Sequence, residues 1–336
     1  MADRRGFFKE LLREVAGVAQ ELNSLVQPPA EPEPELEPWQ PSPPVPARPA
    51  TPLLDAEASL LALCQDVGLE HRADDVRRAV RTSIRLTPAD PAPGRSRLGG
   101  SPELPPGFEW PSWQGRELGF LAQIELAEVA SVAPGLPLPD RGLLLFFYDL
   151  ETLPSGLAAD DGPSCRVVLV DADAELAEDD ERAPAIHVLP VELSRELMLP
   201  SPWSFHAEQL ELTAEEMEAW DQLRERLAQA QGVELEESVP DRIALHRLLG
   251  YQDEIGREVE LDCELAAAGI DADDASAYWE SRSEHEDAAR EWLLLFQLSG
   301  DEELDTPRDE FERLFICARE ADVRVGRFEA ARAIRR

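Results

Sequence analysis

The sequence predicts an α+β fold with mixed or antiparallel sheets, formed by an internally duplicated unit and preceded by a helix and a proline-rich linker. Three observations lead there. Short apolar runs recur at irregular intervals, so strands and helices do not alternate as a doubly wound sheet requires. One pattern of turn, buried strand, loop and buried strand occurs twice. Prolines concentrate near one end, where 11 of the 29 fall within residues 27–52.

Residues 1–26 are expected to form an amphipathic helix over 3–26, because Phe8, Leu11, Leu12, Val15, Val18, Leu22 and Leu25 recur at three- and four-residue steps. Arg4-Arg5-Gly6-Phe7-Phe8-Lys9 resembles a twin-arginine export motif. Glu10, Arg13 and Glu14 then stand where an apolar region should follow, so export is not expected. Phe7, Phe8, Leu11, Leu12 and Val15 instead make a docking face, either for an unknown protein partner or for the chain's own body. Residues 27–52 interleave proline with Glu31, Glu33, Glu35 and Glu37, which predicts an extended, disordered spacer.

The remainder, 53–336, reads as one domain with repeat units at about 82–190 and 240–330. Residues 53–81 are expected to be helical with a break at Gly68. Strands are expected at 81–86, 119–126, 142–149, 165–170, 186–191, 292–298 and 313–318. A helix over about 213–231 opens with Thr213 and Glu216 in capping-box spacing. The stretch 263–289 is acidic and alanine-rich and reads as an insertion in the second unit. In the repeat, Leu98-Gly99-Gly100 corresponds to Leu249-Gly250-Tyr251, and Gln123 to Gln297. Each glutamine is a lone amide in an apolar strand, so each needs partners for both its carbonyl and its amino group. They serve as polar cross-links or as a pocket floor.

Charge excludes more than it assigns. The chain has 69 acidic and 32 basic residues, a net charge of −37, and Lys9 is the single lysine. Of that excess, −29 falls within 151–336, most densely at Asp171–Glu181. Nucleic acid and anionic membrane are excluded as partners, because both need a basic patch. A basic protein surface or a cation fits, and so does a solvated acidic loop. Four cysteines stand apart with no paired spacing, which predicts reduced, buried thiols and a cytoplasmic protein. No apolar run is long enough to span a membrane.

Known chemistries fail one by one. Asp301, Glu303, Asp305 and Glu312 occupy calcium-loop positions, but Thr306 replaces the required glycine. His71, His187, His206, His246 and His285 lack zinc-ligand spacing, so no metal site is expected. No nucleophile elbow or phosphate loop occurs, and no cofactor is expected. Gly99-Gly100 predicts a tight turn. Trp110, Trp113 and Trp203 stand beside prolines, as lids over a core edge or as an aromatic binding surface.

Ser96-Arg-Leu-Gly-Gly-Ser-Pro102, Trp110-Pro111, Gly119-Phe-Leu-Ala-Gln123-Ile-Glu-Leu126, Gly142-Leu-Leu-Leu-Phe-Phe147, His246-Arg-Leu-Leu-Gly-Tyr251-Gln-Asp253 and Trp292-Leu-Leu-Leu-Phe-Gln297-Leu298 together resemble the YwqG-like family over about residues 80–330. That resemblance implies a bacterial, cytosolic α+β protein with an unassigned role and no established catalytic residue. Gln252 stands where the family commonly has proline, and Thr306–Phe311 replaces its usual Trp-Gly-Asp.

The expected function is a protein- or small-ligand-binding module with a tethered docking helix, not an enzyme. Its candidate groove comprises Gly99, Gly100, Trp110, Gln123, His246, Tyr251, Asp253 and Gln297. The alternative is a hydrolase or transferase with a pocket around His246 and Asp253, which would require these groups to converge in one cavity with a glutamine.

Overall fold

The apolar runs become strands of one ten-stranded antiparallel sheet. The computed structural model describes residues 56–336, apart from 180–181, 183, 233–245, 254–256, 302–303 and 307–312. The helix expected at 3–26 and the linker at 27–52 lie outside the described residues. The strands, in chain order, are β1 (Arg81–Pro88), β2 (Arg97–Leu98), β3 (Glu103–Leu104), β4 (Ser112–Trp113), β5 (Arg116–Glu117), β6 (Gly119–Glu125) and β7 (Leu143–Tyr148). They continue with β8 (Cys165–Val170), β9 (Ala177–Glu178), β10 (Leu189–Met198), β11 (His246–Leu249), β12 (Trp292–Ser299), β13 (Arg313–Arg319) and β14 (Arg332–Arg335). The described helices are α1 (Ala56–Asp66), α2 (Ala73–Ala79), α3 (Leu126–Val132), α4 (Phe205–Glu208), α5 (Ala214–Ala230), α6 (Val259–Ala267), α7 (Ala275–Ala289) and α8 (Glu320–Val323).

Across the main sheet the order is β14-β13-β12-β11-β1-β10-β2-β6-β7-β8. β1 and β10 form its long central pair, with Ile84 opposite Arg195 and Leu86 opposite Leu193. On one side β2 pairs with β6, setting Arg97 opposite Gln123. On the other side β11 pairs with β12, setting Arg247 opposite Gln297. The β6–β7 ladder shifts register between Phe120 and Ala122, and the β12–β13 ladder between Leu294 and Phe296. Such bulges bend a strand and increase its twist.

The bending brings the two halves onto one core. Ile84, Leu98, Ile124, Phe146, Leu248, Phe296 and Ile316 are all buried in it. The Phe146 and Phe296 rings stand 4.5 Å apart although their strands are far apart in the sheet. The outer edges also approach: Arg335 donates its backbone N–H to the Ser155 carbonyl (3.0 Å) and its Nε to that of Leu153 (2.8 Å). The sheet is therefore nearly barrel-shaped. Runs such as Leu143–Tyr148 are buried on both faces, so their residues are apolar throughout instead of alternating.

Helices cover the outside. In α5, Trp220, Leu223 and Leu227 are buried at three- and four-residue spacing, against Leu60 and Cys64 of α1 and against Leu199. Its Thr213–Glu216 capping box forms as the sequence indicates. Helical structure over 56–79 is interrupted at Gly68, as expected. The strand expected at 186–191 is instead β10, which starts at Leu189 and runs to Met198. The acidic stretch read as an insertion contains the end of α6 and all of α7. All four cysteines are buried and free, and burial pushes the Cys165 thiol up to about 12.

Candidate functional site

A cleft of about 350 Å³ opens beside the start of β6. Gly100, Ser101 and Pro102 form one wall, Phe120 and Leu150 line the cleft, and Trp110, Glu117, Glu151 and Arg182 complete it. That volume lies within the range of small-ligand pockets.

The turn after β2 shapes the first wall. Gly99 and Gly100 both have positive φ, 59° and 71°, where side chains are disfavoured. A Cβ on Gly99 would lie 1.9 Å from the His187 carbonyl oxygen. The expected tight turn thus presses this backbone against the 186–188 segment. Trp110 is fixed by its indole N–H, which donates to the Leu118 carbonyl (2.8 Å), and by edge packing on Phe147 (5.2 Å). The Arg182 guanidinium lies 4.5 Å over its ring. Arg182 also grips Glu117 through Nε (3.3 Å) and Nη2 (3.2 Å), and reaches Asp179 through Nη1 (2.9 Å).

Asp149 secures the side of the cleft at Leu150 and Glu151. Its carboxylate accepts from the Glu151 and Thr152 backbone N–H groups, the Thr152 hydroxyl and Arg116 (2.7 Å). Burial raises the Asp149 pKa, but the Arg116 and Thr152 hydrogen bonds outweigh it, leaving the carboxyl below its usual range.

The two glutamines meet their polar requirements inside the protein. Gln123 Oε1 accepts from the Glu103 N–H (3.0 Å), and its Nε2 donates to the Arg95 carbonyl (2.9 Å) and to Glu103 Oε1 (2.8 Å). Arg97 Nη1 donates to the same Glu103 oxygen (3.2 Å). Gln297 Nε2 donates to Asp253 Oδ2 (2.6 Å), and Asp253 Oδ1 lies 3.0 Å from Arg247 Nη2. His246 is fully buried: Nδ1 accepts from the Ser299 N–H (3.3 Å), and Nε2 faces Asp301 Oδ2 (3.3 Å). His246 and Asp253 thus have different partners, and neither they nor the glutamines line the cleft. Asp301 also bridges to Thr306, while Glu303 and Glu312 of the failed calcium pattern lie outside the described residues.

Tyr251 leads to a third place. Its hydroxyl donates to the Ala79 carbonyl (2.6 Å), Arg81 lies 4.2 Å over its ring, and the His206 ring packs edgewise at 5.1 Å. His206, Glu258 and Glu260 bring one donor atom each within 4.8 Å of one another, the described group close enough to hold a metal. Arg81 Nη2 contacts His206 Nδ1 at 3.5 Å, so that nitrogen accepts and Nε2 carries the proton facing Glu260 (3.2 Å). Burial holds His206 below its usual pKa, and Glu260 Oε2 is buried without a hydrogen-bond partner, so the cluster is a buried polar network and not a set of paired charges. Burial, and then the neighbouring Glu260, push Glu258 up to about 8. Sequence reasoning set His206 aside for want of zinc-ligand spacing and passed over these acids. The available signal was Glu258, Glu260, Asp262 and Glu264 alternating with Val259, Leu261, Cys263 and Leu265, all of them buried.

The sequence-derived groove is therefore divided. Gly100 and Trp110 share the cleft, with Gly99 shaping its wall; Gln123, His246, Asp253 and Gln297 belong to buried networks, and Tyr251 to the His206 cluster. Glu117, Glu151 and Arg182 were missed, because isolated charged residues carry no spacing signal. Phe7, Phe8, Leu11, Leu12 and Val15 lie outside the described residues. Among the described residues, no helix is long and apolar enough to cross a membrane. No curated protein matches the chain. Residues 96–332, well over half of it, match the model of a domain of unknown function, and the chain accordingly belongs to the DUF1963 family.

Proposed function

We propose that this chain is a binding module whose ligand, a small molecule or a short peptide, enters the cleft beside Trp110. The observation that carries this reading is Trp110 itself, braced by Phe147 and Leu118 and lining the cleft together with Glu117, Glu151 and Arg182. Rigid aromatic anchors in partly open clefts are the groups that recognition sites employ. The buried, internally bonded state of His246 and Gln297 argues against the alternative of a catalytic pocket around His246 and Asp253. Titrating acidic, basic and uncharged peptides into the full chain by calorimetry tests the reading. At least one class should bind, and Trp110→Ala should weaken it about tenfold, the usual scale of an aromatic anchor. If Trp110→Ala changes no titration, the reading fails.

The finer architecture belongs to the same proposal: a YwqG-like protein made of two copies of one unit. Supporting it, Arg97, Gln123 and Glu103 repeat as Arg247, Gln297 and Asp253. The Ser96 hydroxyl accepts from Glu125 N–H as His246 accepts from Ser299 N–H. Leu249 and Gly250, with φ of 58° and 87°, correspond to Gly99 and Gly100. Leu248 is therefore the counterpart of Leu98, one residue from the match to Leu249 read in the sequence. The module works in the cytoplasm, and residues 3–26 recruit its protein partner. Removing residues 1–26 should abolish a co-purifying protein without changing Tm; an unchanged pull-down profile contradicts the docking role.

A further inference from the structure

The cleft already holds a cation supplied by the chain. Arg182 places the face of its guanidinium on Trp110 and its edge on Glu117. Beside it, Phe120, Leu150, Pro102 and Pro184 offer an apolar lining, and the exposed Glu151, 3.8 Å from Arg116 Nε, adds a second carboxylate to the rim. A π-face, a carboxylate edge and an apolar floor together match one chemical group, a planar guanidinium on a methylene stem. We propose that the cleft binds an arginine side chain of a basic peptide segment, and that Arg182 occupies this subsite as an internal stand-in which the incoming arginine displaces.

The proposal rests on the cleft being the binding site and adds the class of ligand. Arg182 and Glu117 are 40% and 60% exposed, and an ion pair so exposed holds weakly; the stronger tie on Arg182 is Asp179, 9% exposed and 2.9 Å from Nη1, which displacement must also break. An incoming arginine would reproduce the Trp110 and Glu117 contacts and, in place of the Asp179 bond, gain the apolar lining and Glu151. The net charge of −37 attracts basic segments from a distance. Lysine is a poorer fit, because its compact ammonium has neither the flat face nor the fork.

The test titrates a capped hexapeptide with two arginines into the full chain, against matched lysine and citrulline peptides. Arginine should bind about tenfold more tightly than citrulline, and Trp110→Ala should remove about that factor. Trp110→Phe retains an aromatic ring against Phe147 but loses the bond to the Leu118 carbonyl; it controls for misfolding by still unfolding in one cooperative transition, at a slightly lower Tm, and should weaken binding. Glu117→Gln should also weaken it. The distinctive result is Arg182→Ala, which vacates the subsite and should tighten arginine binding several-fold, while Arg78→Ala, an equal charge change on α2, should not. If Arg182→Ala leaves affinity unchanged or lowers it, or if citrulline binds equally well, the proposal is overturned. An acidic or uncharged peptide that binds through Trp110 when the arginine peptide does not would overturn this inference alone. If no peptide depends on Trp110, the cleft reading falls with it.

Discussion

At the scale of single residues, buried polar side chains in this protein are tied to particular partners. Gln123 is enclosed in an apolar strand, and Leu in its place would leave Glu103 N–H and the Arg95 carbonyl short of a bond. Gln123→Leu should therefore cost about 1–3 kcal/mol in urea denaturation, despite being more apolar. Gln123 and Gln297 were legible as lone amides, and Asp253 was placed in the same candidate groove as Gln297, but Glu103, the partner of Gln123, was not legible. Glu103 lies outside the apolar strands, and only chain reversal brings it back. Asp149 was invisible for a similar reason, being one aspartate among many until β7 buries it. Asp149→Ala should cost about 2–4 kcal/mol at pH 7, because it leaves Arg116 and two N–H groups without their acceptor. Its folded pKa lies below the usual 3.8, so this stabilisation is complete above that value and disappears as pH falls through the folded pKa. Denaturation of both proteins down to pH 2 should show the difference shrinking.

At the scale of elements, local signals succeeded where they were self-contained. The capping box of α5 needs only Thr213 and Glu216, and both sequence and structure contain it. Thr213→Ala should cost about 1 kcal/mol. The Gly99-Gly100 turn was equally legible, but its crowding was not. The obstructing carbonyl belongs to His187, which folding brings from far along the chain. Gly99→Ala should lower Tm more than Gly68→Ala, whose added Cβ meets nothing within 4 Å although both have positive φ. β10 was placed too early because the apolar run Ile186–Val191 attracts attention. The actual strand continues through Glu192, Ser194 and Glu196, and its place is fixed by pairing with β1. Helix α6 was missed because its buried acids look like surface residues. Asp262 is satisfied by Arg257 and Arg336, and Glu264 by Trp292 and Arg319, none of which sequence spacing marks.

At the scale of the molecule, strands were legible because most run through a continuous apolar interior, whereas sheet order was not. The joint core depends on bulges in β6 and β12 that bend two sets of strands toward each other. Bending also separated the groove expected from the sequence, sending Trp110 to open cleft and His246 to the interior. The net charge of −37 acquires a location at this scale. Part of it is neutralised inside, around α6, and part lies exposed at Asp171, Asp173 and the cleft acids Glu117 and Glu151. Where a ligand sits is therefore the central question. Photo-crosslinking the full chain with a benzophenone-bearing arginine peptide, followed by mass spectrometry, answers it. The adducts should fall on Ser101–Pro102, Glu117–Phe120 and Leu150–Glu151, and excess unlabelled peptide should suppress them. Competable adducts confined to His246–Asp253, or spread evenly over the acidic surface, would contradict the account.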